Sequence, residues 1–207
     1  MLLSVLLISD LPAIKNIQPE IQQIIKQGNL LLQNANEFKK LASEKFQRVV
    51  FLGSGSMLGI ARECHLKLQE LTDGQIVCKH DSFLGFRHGP RAVTNENTLL
   101  VYLFSANDFV YQYELDLALA IANEPRDIKC LSIGRPENKE LNSSLNIDLQ
   151  LNPNHQLNII PTSLVGQLLG LYKSLSLGLD PDNPSVSGAI SRVVKGVTIY
   201  NHPIIKK

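Results

Sequence analysis

The chain has 207 residues, of which 44% are hydrophobic and 19% are charged. This composition is typical of a globular protein with a substantial core and excludes an intrinsically disordered chain. The formal net charge is +1, and the sequence has no tryptophan and no long run of lysine and arginine. Charge and composition therefore give no support for a nucleic-acid or membrane partner.

The first segment, MLLSVLLISDLP, is strongly apolar. It lacks the basic leader and the cleavage site of a signal peptide, and it is too short to cross a bilayer. The following stretch, from Ile17 to Phe46, has apolar residues at near-helical spacing. This pattern predicts one long helix or two shorter ones with a break near Gly28. We expect residues 1–46 to form a helical N-terminal segment.

Short apolar runs alternate with helical patterns beyond this segment. The runs RVVFLG, IVCKH, TLLVYLF and IKCLSIG predict buried strands, and an edge strand is predicted at NIDLQL. Helices are predicted between the strands and again from Thr162 to Leu177. This order predicts an α/β fold over residues 47–180, with a parallel sheet covered on both faces. Residues 181–207, rich in Pro, Gly and Ser, are expected to wrap across the surface as a tail.

The tetrapeptide GSGS (residues 53–56) lies between the first predicted strand and the helix after it. Two interpretations fit this position. The backbone N–H groups, the hydroxyls of Ser54 and Ser56 and the positive helix end are suited to a phosphate. A tight strand-to-helix turn capped by serine accounts for the same residues without a ligand.

The helix after GSGS places a lysine beside its apolar stripe. That stripe is formed by Ile60, Cys64, Leu68 and Leu71, and Lys67 falls just inside its edge. Glu63 and Glu70 fall just beyond the edge. A partly desolvated lysine needs an anionic partner, and a Glu63–Lys67 surface pair is the simplest explanation. That pair does not explain why the lysine is turned toward the core.

A second group of polar residues follows the second predicted strand. Asp81, Arg87 and His88 belong to a loop beyond that strand, where ligands bind in open α/β sheets. His88 taken alone is also compatible with a hydrogen-bonded turn. No set of His, Cys, Asp and Glu residues has metal-ligand spacing.

The three cysteines occur in apolar segments and form no C-x-x-C pair. Neither a disulfide framework nor a zinc site is therefore predicted. Cys64, Cys78 and Cys130 are expected to be reduced, buried and unreactive, in a cytoplasmic protein.

The motifs LKLQE (66–70) and RHGP (87–90), with GSGS upstream, resemble the sugar isomerase (SIS) domain family. The resemblance extends to SGAISRVVKGVTIY and is greatest to the second SIS domain of bacterial tagatose-6-phosphate ketose/aldose isomerases, also described as galactosamine-6-phosphate deaminase/isomerases. It implies a three-layer, flavodoxin-like fold around a five-stranded parallel sheet. It also implies a phosphorylated hexose or hexosamine as substrate and no metal or organic cofactor.

The resemblance assigns roles to individual residues. Glu70 would be the base that moves a proton between C1 and C2 of an open-chain sugar phosphate, Lys67 would assist at the carbonyl, and His88 would open the sugar ring. Lys195 matches a tail lysine near the site. Ser54, Gly55 and Ser56, with Arg87, would bind the substrate and its phosphate. One departure is Gln69, which stands where the related isomerase domain of glucosamine-6-phosphate synthase has a second lysine.

The family places two SIS domains in one chain, and the first domain carries the grip on the sugar phosphate. This sequence matches the second domain, and MLLSVLLI resembles a late helix of the first. A complete site is therefore expected to need another copy of the chain, as a homodimer, or a separate chain that supplies the first SIS domain. The rival hypothesis is a non-catalytic sugar-phosphate-binding module or a truncated half of the enzyme.

Overall fold

The computed structural model describes residues 11–153, 156–186, 188 and 196–200, with side chains for all of these except residues 11–16 and 156. The strands are β1 (Arg48–Gly53), β2 (Val77–Asp81), β3 (Thr98–Leu103), β4 (Lys129–Ile133) and β5 (Leu145–Ile147). The helices are α1 (Leu11–Gln33), α2 (Ala35–Ser43), α3 (Ser56–Leu71), α4 (Phe83–Phe86), α5 (Asp108–Ala122), α6 (Ile159–Thr162) and α7 (Leu164–Ser176). Within the described part of the chain, no helix is long and apolar enough to cross a membrane.

The five strands form one parallel sheet in the order β2-β1-β3-β4-β5. The α/β prediction and the expected five-stranded parallel sheet are therefore confirmed. The last strand is shorter than the NIDLQL pattern suggested, because only Leu145–Ile147 pairs with β4. A parallel sheet buries both faces, which explains why β1 and β3 are apolar almost throughout.

Alternate residues of β1 point into two separate apolar clusters. Val49 and Phe51 face a layer that includes α2, α3 and α7, whereas Val50 and Leu52 face a layer that includes α4 and α5. The connection after β1 thus crosses one face of the sheet and the connection after β3 crosses the other. Ligands in such folds bind in the crevice that opens between two strands of this kind, at their carboxyl ends.

The predicted break near Gly28 is wrong, because α1 runs without interruption from Leu11 to Gln33. A single glycine costs a helix about 1 kcal/mol, which packing readily offsets. Gly28 lies against Leu164 of α7. The chain breaks instead at Asn34, whose Nδ2 donates to the carbonyl oxygen of Leu30 at 2.9 Å.

The helices of the N-terminal segment pack into the same core as the sheet. Leu31 of α1 and Phe38 of α2 are fully buried in the cluster that α3 and α7 share. The C-terminal end of α2 is held by Lys173 of α7, which is 4% exposed. Its Nζ donates to the carbonyl oxygens of Ala42 at 3.1 Å and Glu44 at 2.8 Å. A buried ammonium group is tolerated here because carbonyl oxygens satisfy its donors.

Helices α3 and α7 approach so closely that α7 needs glycine at the contact. A Cβ atom on Gly166 would lie 2.5 Å from the Cα of Cys64. We therefore expect Gly166→Ala to lower the free energy of unfolding by about 1–3 kcal/mol or more, because the two backbones must move apart.

The matched control for that substitution is Gly59→Ala in α3, where a Cβ atom would meet nothing within 4 Å. Alanine is the better helix former, so this change should raise the free energy of unfolding by up to about 1 kcal/mol. Urea denaturation measures both values. Equal stability of the two variants would contradict the close packing of α3 and α7.

Candidate active site

The residues of the LKLQE motif form an ion pair at the end of α3. Lys67 Nζ lies 2.9 Å from Glu70 Oε2 and 3.8 Å from Glu63 Oε1. The side chains of Lys67 and Glu70 are 35% and 38% exposed, so both reach solvent from a partly covered position. The hydrogen bond to Glu70 is the largest influence on Lys67 and raises the pKa of its ammonium group, which burial only partly opposes. Lys67 is therefore a cation at neutral pH.

The predicted Glu63–Lys67 pair is present, but Glu70 is the closer partner of the lysine. The segment is held in place by α7. A Cβ atom on Gly170 would lie 2.8 Å from Leu71 Cδ1 and 3.4 Å from the carbonyl oxygen of Lys67. The backbone that carries the ion pair is thus packed against a second helix, while the two charged groups themselves remain accessible.

The C-terminal part of the chain passes the same end of α3. The N–H of Val186 donates to Asp73 Oδ2 at 3.1 Å, three residues beyond Glu70 in the sequence. Lys195, the predicted tail lysine of the site, lies outside the described residues. The described portion of the tail therefore contacts the turn that follows α3, and the position of Lys195 stays a prediction.

His88 is exposed and belongs to the opposite layer of the domain. Its neighbour Arg87 forms an ion pair with Asp116 at 2.5 Å, and Arg91 pairs with Glu124. Asp116 lies on α5 and Glu124 just beyond its end, and α5 covers the other face of the sheet from α3. The sheet thus separates His88 from Glu70 within one chain. Arg87, predicted to bind substrate, is paired with a carboxylate.

The GSGS loop lies at the other end of α3 from Glu70. The helix begins at Ser56, the last residue of the loop, and Glu70 follows fourteen residues later. At 1.5 Å per residue this separation is about 21 Å, which is longer than an open-chain hexose phosphate. Ser54–Ser56 and Glu70 of one chain therefore cannot bind the two ends of the same sugar.

The loop has a specific backbone geometry. Gly55 has φ +55° and forms the helix N-cap without a side-chain hydrogen bond, so neither serine caps the helix as the simpler interpretation expected. Position 53 has no room for a side chain, because a Cβ atom there would lie 2.5 Å from the carbonyl oxygen of Met57. Glycine is therefore required at this position. The two glycines thus account for the tight turn.

Sequence reasoning missed the buried carboxylate next to this loop. Glu114 of α5 is 1% exposed, and its Oε2 accepts a hydrogen bond from the N–H of Ser105 at 2.7 Å. Burial raises the pKa of Glu114, while hydrogen bonds from Ser105 and Ser54 and the charge of Arg135 oppose that rise. A signal was present in the sequence, because Glu114 shares the buried stripe of its helix with Leu117, Ala118 and Ile121.

The cysteines are free thiols, and Cys64 and Cys130 are buried as predicted, whereas Cys78 is only partly buried. Burial raises the pKa of both Cys64 and Cys78 to about 12, and it also raises the pKa of Cys130. Such thiols are unreactive at neutral pH. Among the described residues, no group of three or more His, Cys, Asp and Glu side chains is arranged to hold a metal ion.

Lys67, Glu70 and His88 therefore reach the surface of a parallel α/β domain whose sheet is covered on both faces. No profile of a known protein family matches the chain. The D-galactosamine-6-phosphate deaminase AgaS of Shewanella sp. (strain ANA-3) is 34% identical over 191 residues, which are 92% of this chain and 47% of the relative. A Clostridium novyi NT structure assigned as a tagatose-6-phosphate ketose/aldose isomerase has 37% identity and a TM-score of 0.86, covering 97% of this chain and 53% of that one.

The tagatose-6-phosphate ketose/aldose isomerase of Escherichia coli has 26% identity and a TM-score of 0.73, and the match covers 88% of this chain and 47% of that one. The chain belongs to the sugar isomerase (SIS) family of phosphosugar proteins, together with these deaminases and isomerases. It spans about half the length of the curated relatives that it matches.

Proposed function

We propose that this chain is part of a cytoplasmic phosphosugar enzyme that isomerises a hexose 6-phosphate, or deaminates and isomerises an amino-hexose 6-phosphate, with Glu70 as the base. The observation that carries the proposal is the Lys67–Glu70 pair, 2.9 Å apart and accessible at the end of α3, in a chain homologous to such enzymes. The unreactive thiols agree with a cytoplasmic protein.

The proposed chemistry needs few groups. The carboxylate of Glu70 takes the proton from C2 of an open-chain aldose, the electron pair moves toward the carbonyl oxygen at C1, and an enediolate forms. The same carboxylate then returns the proton to C1 while the hydroxyl proton of O2 passes to O1, so that the carbonyl now lies at C2 and isomerisation consumes no other reagent. General acid–base catalysis of this kind is worth about 10²–10⁴-fold.

Lys67 would supply the electrostatic part of catalysis. Its ammonium group is a cation and lies within 2.9 Å of the base, so it is placed to stabilise the negative oxygen of the enediolate. In the free protein the lysine is bound to the base itself. We infer that the substrate's carbonyl oxygen takes over part of that contact when the sugar binds.

The rest of the site would come from elsewhere in the assembly. Since the sheet separates His88 from Glu70, we propose that His88 reaches the site of a neighbouring subunit in a homodimer. We also propose that a companion SIS domain, in the same polypeptide or in another, covers the end of α3. The double length of the matched relatives supports this second part. Lys195 would approach along the tail that passes Asp73.

A second candidate function is binding without turnover. The wide separation of Glu70, His88 and the GSGS loop in one chain favours it, because a chain that acts alone would have no complete site. In that case the chain would recognise a sugar phosphate, or complete another protein's site, without catalysis.

Enzyme assays distinguish the two functions. The protein is incubated with tagatose 6-phosphate and with galactosamine 6-phosphate, alone and mixed with the half of the Shewanella deaminase that this chain does not match. We expect ketose–aldose interconversion or release of ammonia in at least the mixture. A rise in melting temperature with these sugars but no turnover would support the binding module. The absence of both turnover and thermal stabilisation would contradict both functions.

A further inference from the structure

The crevice at the carboxyl ends of β1 and β3 is the place where a doubly wound α/β domain binds its ligand. In this chain the side-chain carboxylate of Glu114 occupies that crevice. Glu114 reaches the crevice from α5, is 1% exposed, and accepts a hydrogen bond from the N–H of Ser105, the second residue after β3. The hydroxyl of Ser54, the first residue after β1, lies close enough to lower the pKa of Glu114. Glu114 thus joins the loops that follow the two strands.

The donors that Glu114 uses are the kind that bind an external anion. Backbone N–H groups after parallel strands and hydroxyl groups in a glycine-rich turn form anion-binding concavities. Arg135, which follows β4, adds a positive charge near the carboxylate and donates from Nε to the carbonyl oxygen of Ser105 at 2.7 Å. Oε2 of Glu114 accepts the bond from Ser105, whereas Oε1 is buried without a hydrogen-bond partner. The crevice therefore offers donors to an anion, and one oxygen of Glu114 uses them.

We propose that Glu114 is a tethered anion that occupies this crevice and closes the GSGS loop to phosphate. A phosphate brought to Ser54 and Ser56 would compete with the carboxylate for the same donors and would be repelled by its charge. This inference deepens the proposed function and rests on it in one respect, since it assigns the phosphate of the substrate to a companion SIS domain. Of the two ways to complete the site, it selects the separate phosphate-binding half over a second copy of the GSGS loop.

The test titrates inorganic phosphate into ¹⁵N-labelled protein and follows the backbone amide signals of Gly55 and Ser105. Sodium chloride of equal ionic strength is the reference. The wild-type signals are expected to move no further with phosphate than with chloride. In Glu114→Ala we expect saturable shifts at both amides, because the donors are released and the negative charge is gone. Glu137→Ala, which removes an exposed carboxylate near the same edge, should behave like wild type.

A second variant keeps the test valid if Glu114→Ala does not fold. Glu114→Gln preserves an oxygen acceptor for Ser105 but removes the charge, so it should fold and show weaker, saturable phosphate binding. Saturable shifts of Gly55 and Ser105 in the wild type would overturn the proposal. A folded Glu114 variant that binds no phosphate would overturn it equally.

The pH dependence of stability provides an independent readout. Burial raises the pKa of Glu114, so its charged form opposes folding. Relative to Glu114→Gln, the wild type should lose stability as the pH rises from the unfolded-state pKa of Glu114 through its higher folded-state pKa. No turnover is measured in either experiment, so a failure of the proposed enzyme activity leaves both results interpretable.

Discussion

Replacing Glu70 with glutamine is expected to lower kcat by about 10²–10⁴-fold, the usual contribution of a general base, with little change in KM. Glutamine has nearly the same shape and still accepts a hydrogen bond from Lys67, but it cannot take a proton from carbon. The measurement is steady-state turnover of the sugar phosphate that the enzyme assays identify, in whichever assembly is active. The side chain is 38% exposed, so thermal unfolding should be close to that of wild type.

Glu63→Gln is the matched control for this substitution. It removes the same charge from the same helix and from the other carboxylate beside Lys67, but at 3.8 Å rather than 2.9 Å. We expect turnover close to that of wild type. An equal loss in both variants would mean that the negative charge near Lys67 matters and that Glu70 is not the base. Full activity of Glu70→Gln would contradict the mechanism outright.

The second large effect is expected from mixing two inactive variants. Glu70→Gln and His88→Asn should each abolish turnover when expressed alone, since every site then lacks one group. If His88 acts across a subunit boundary, a mixed dimer keeps one site with both Glu70 and His88. Random pairing makes about half of the dimers mixed, each with one intact site of two, so co-expression should recover about a quarter of the wild-type activity.

The control for this experiment is co-expression of Glu70→Gln with the double variant that carries both substitutions. No dimer in that mixture has an intact site, so turnover should stay at the level of the single variants. If the first mixture also stays inactive although mixed dimers form, then His88 does not act across the interface. Differential affinity tags on the two chains establish that the mixed dimers are present.

The separation of the candidate residues agrees with the proposal that this domain acts within a larger assembly. Lys67 and Glu70 are at one end of α3, the GSGS loop is at the other, and His88 lies on the far side of the sheet. Each group faces outward, where another subunit or domain can meet it. The strongest positional constraint is on Glu70, the proposed base, because the packing of α7 against α3 fixes the backbone of this segment.

Much of the fold was readable from local pattern. The apolar runs of β1 and β3 are continuous, whereas a strand with one face in solvent alternates apolar and polar residues. These runs therefore predicted a sheet buried on both faces. The alternation with helices then predicted the parallel order. The motifs LKLQE and RHGP predicted the family. A short motif of uncommon residue types at a fixed spacing can be read from the sequence without knowledge of the tertiary structure.

Other features depended on contacts between residues far apart in the chain. Gly28 reads as a helix break, but α7 packs over it and the helix continues. Lys173 reads as an ordinary surface lysine of a helix end, although it is buried against the carbonyl oxygens of residues more than a hundred positions earlier. Helical periodicity describes one helix at a time and carries no information about which neighbour covers it.

The sequence by itself determined the α/β class, the family and the pairing of Lys67 with a carboxylate on its own helix, because these depend on short-range spacing. Only the tertiary structure decided that Glu70 and His88 of one chain stay apart and that Glu114 fills the crevice beside Ser54. The reason is that the order of the strands decides both features. It places Glu70 and His88 on opposite faces of the sheet, and it brings together the loops that follow β1 and β3. That order follows from long-range pairing rather than from any single segment.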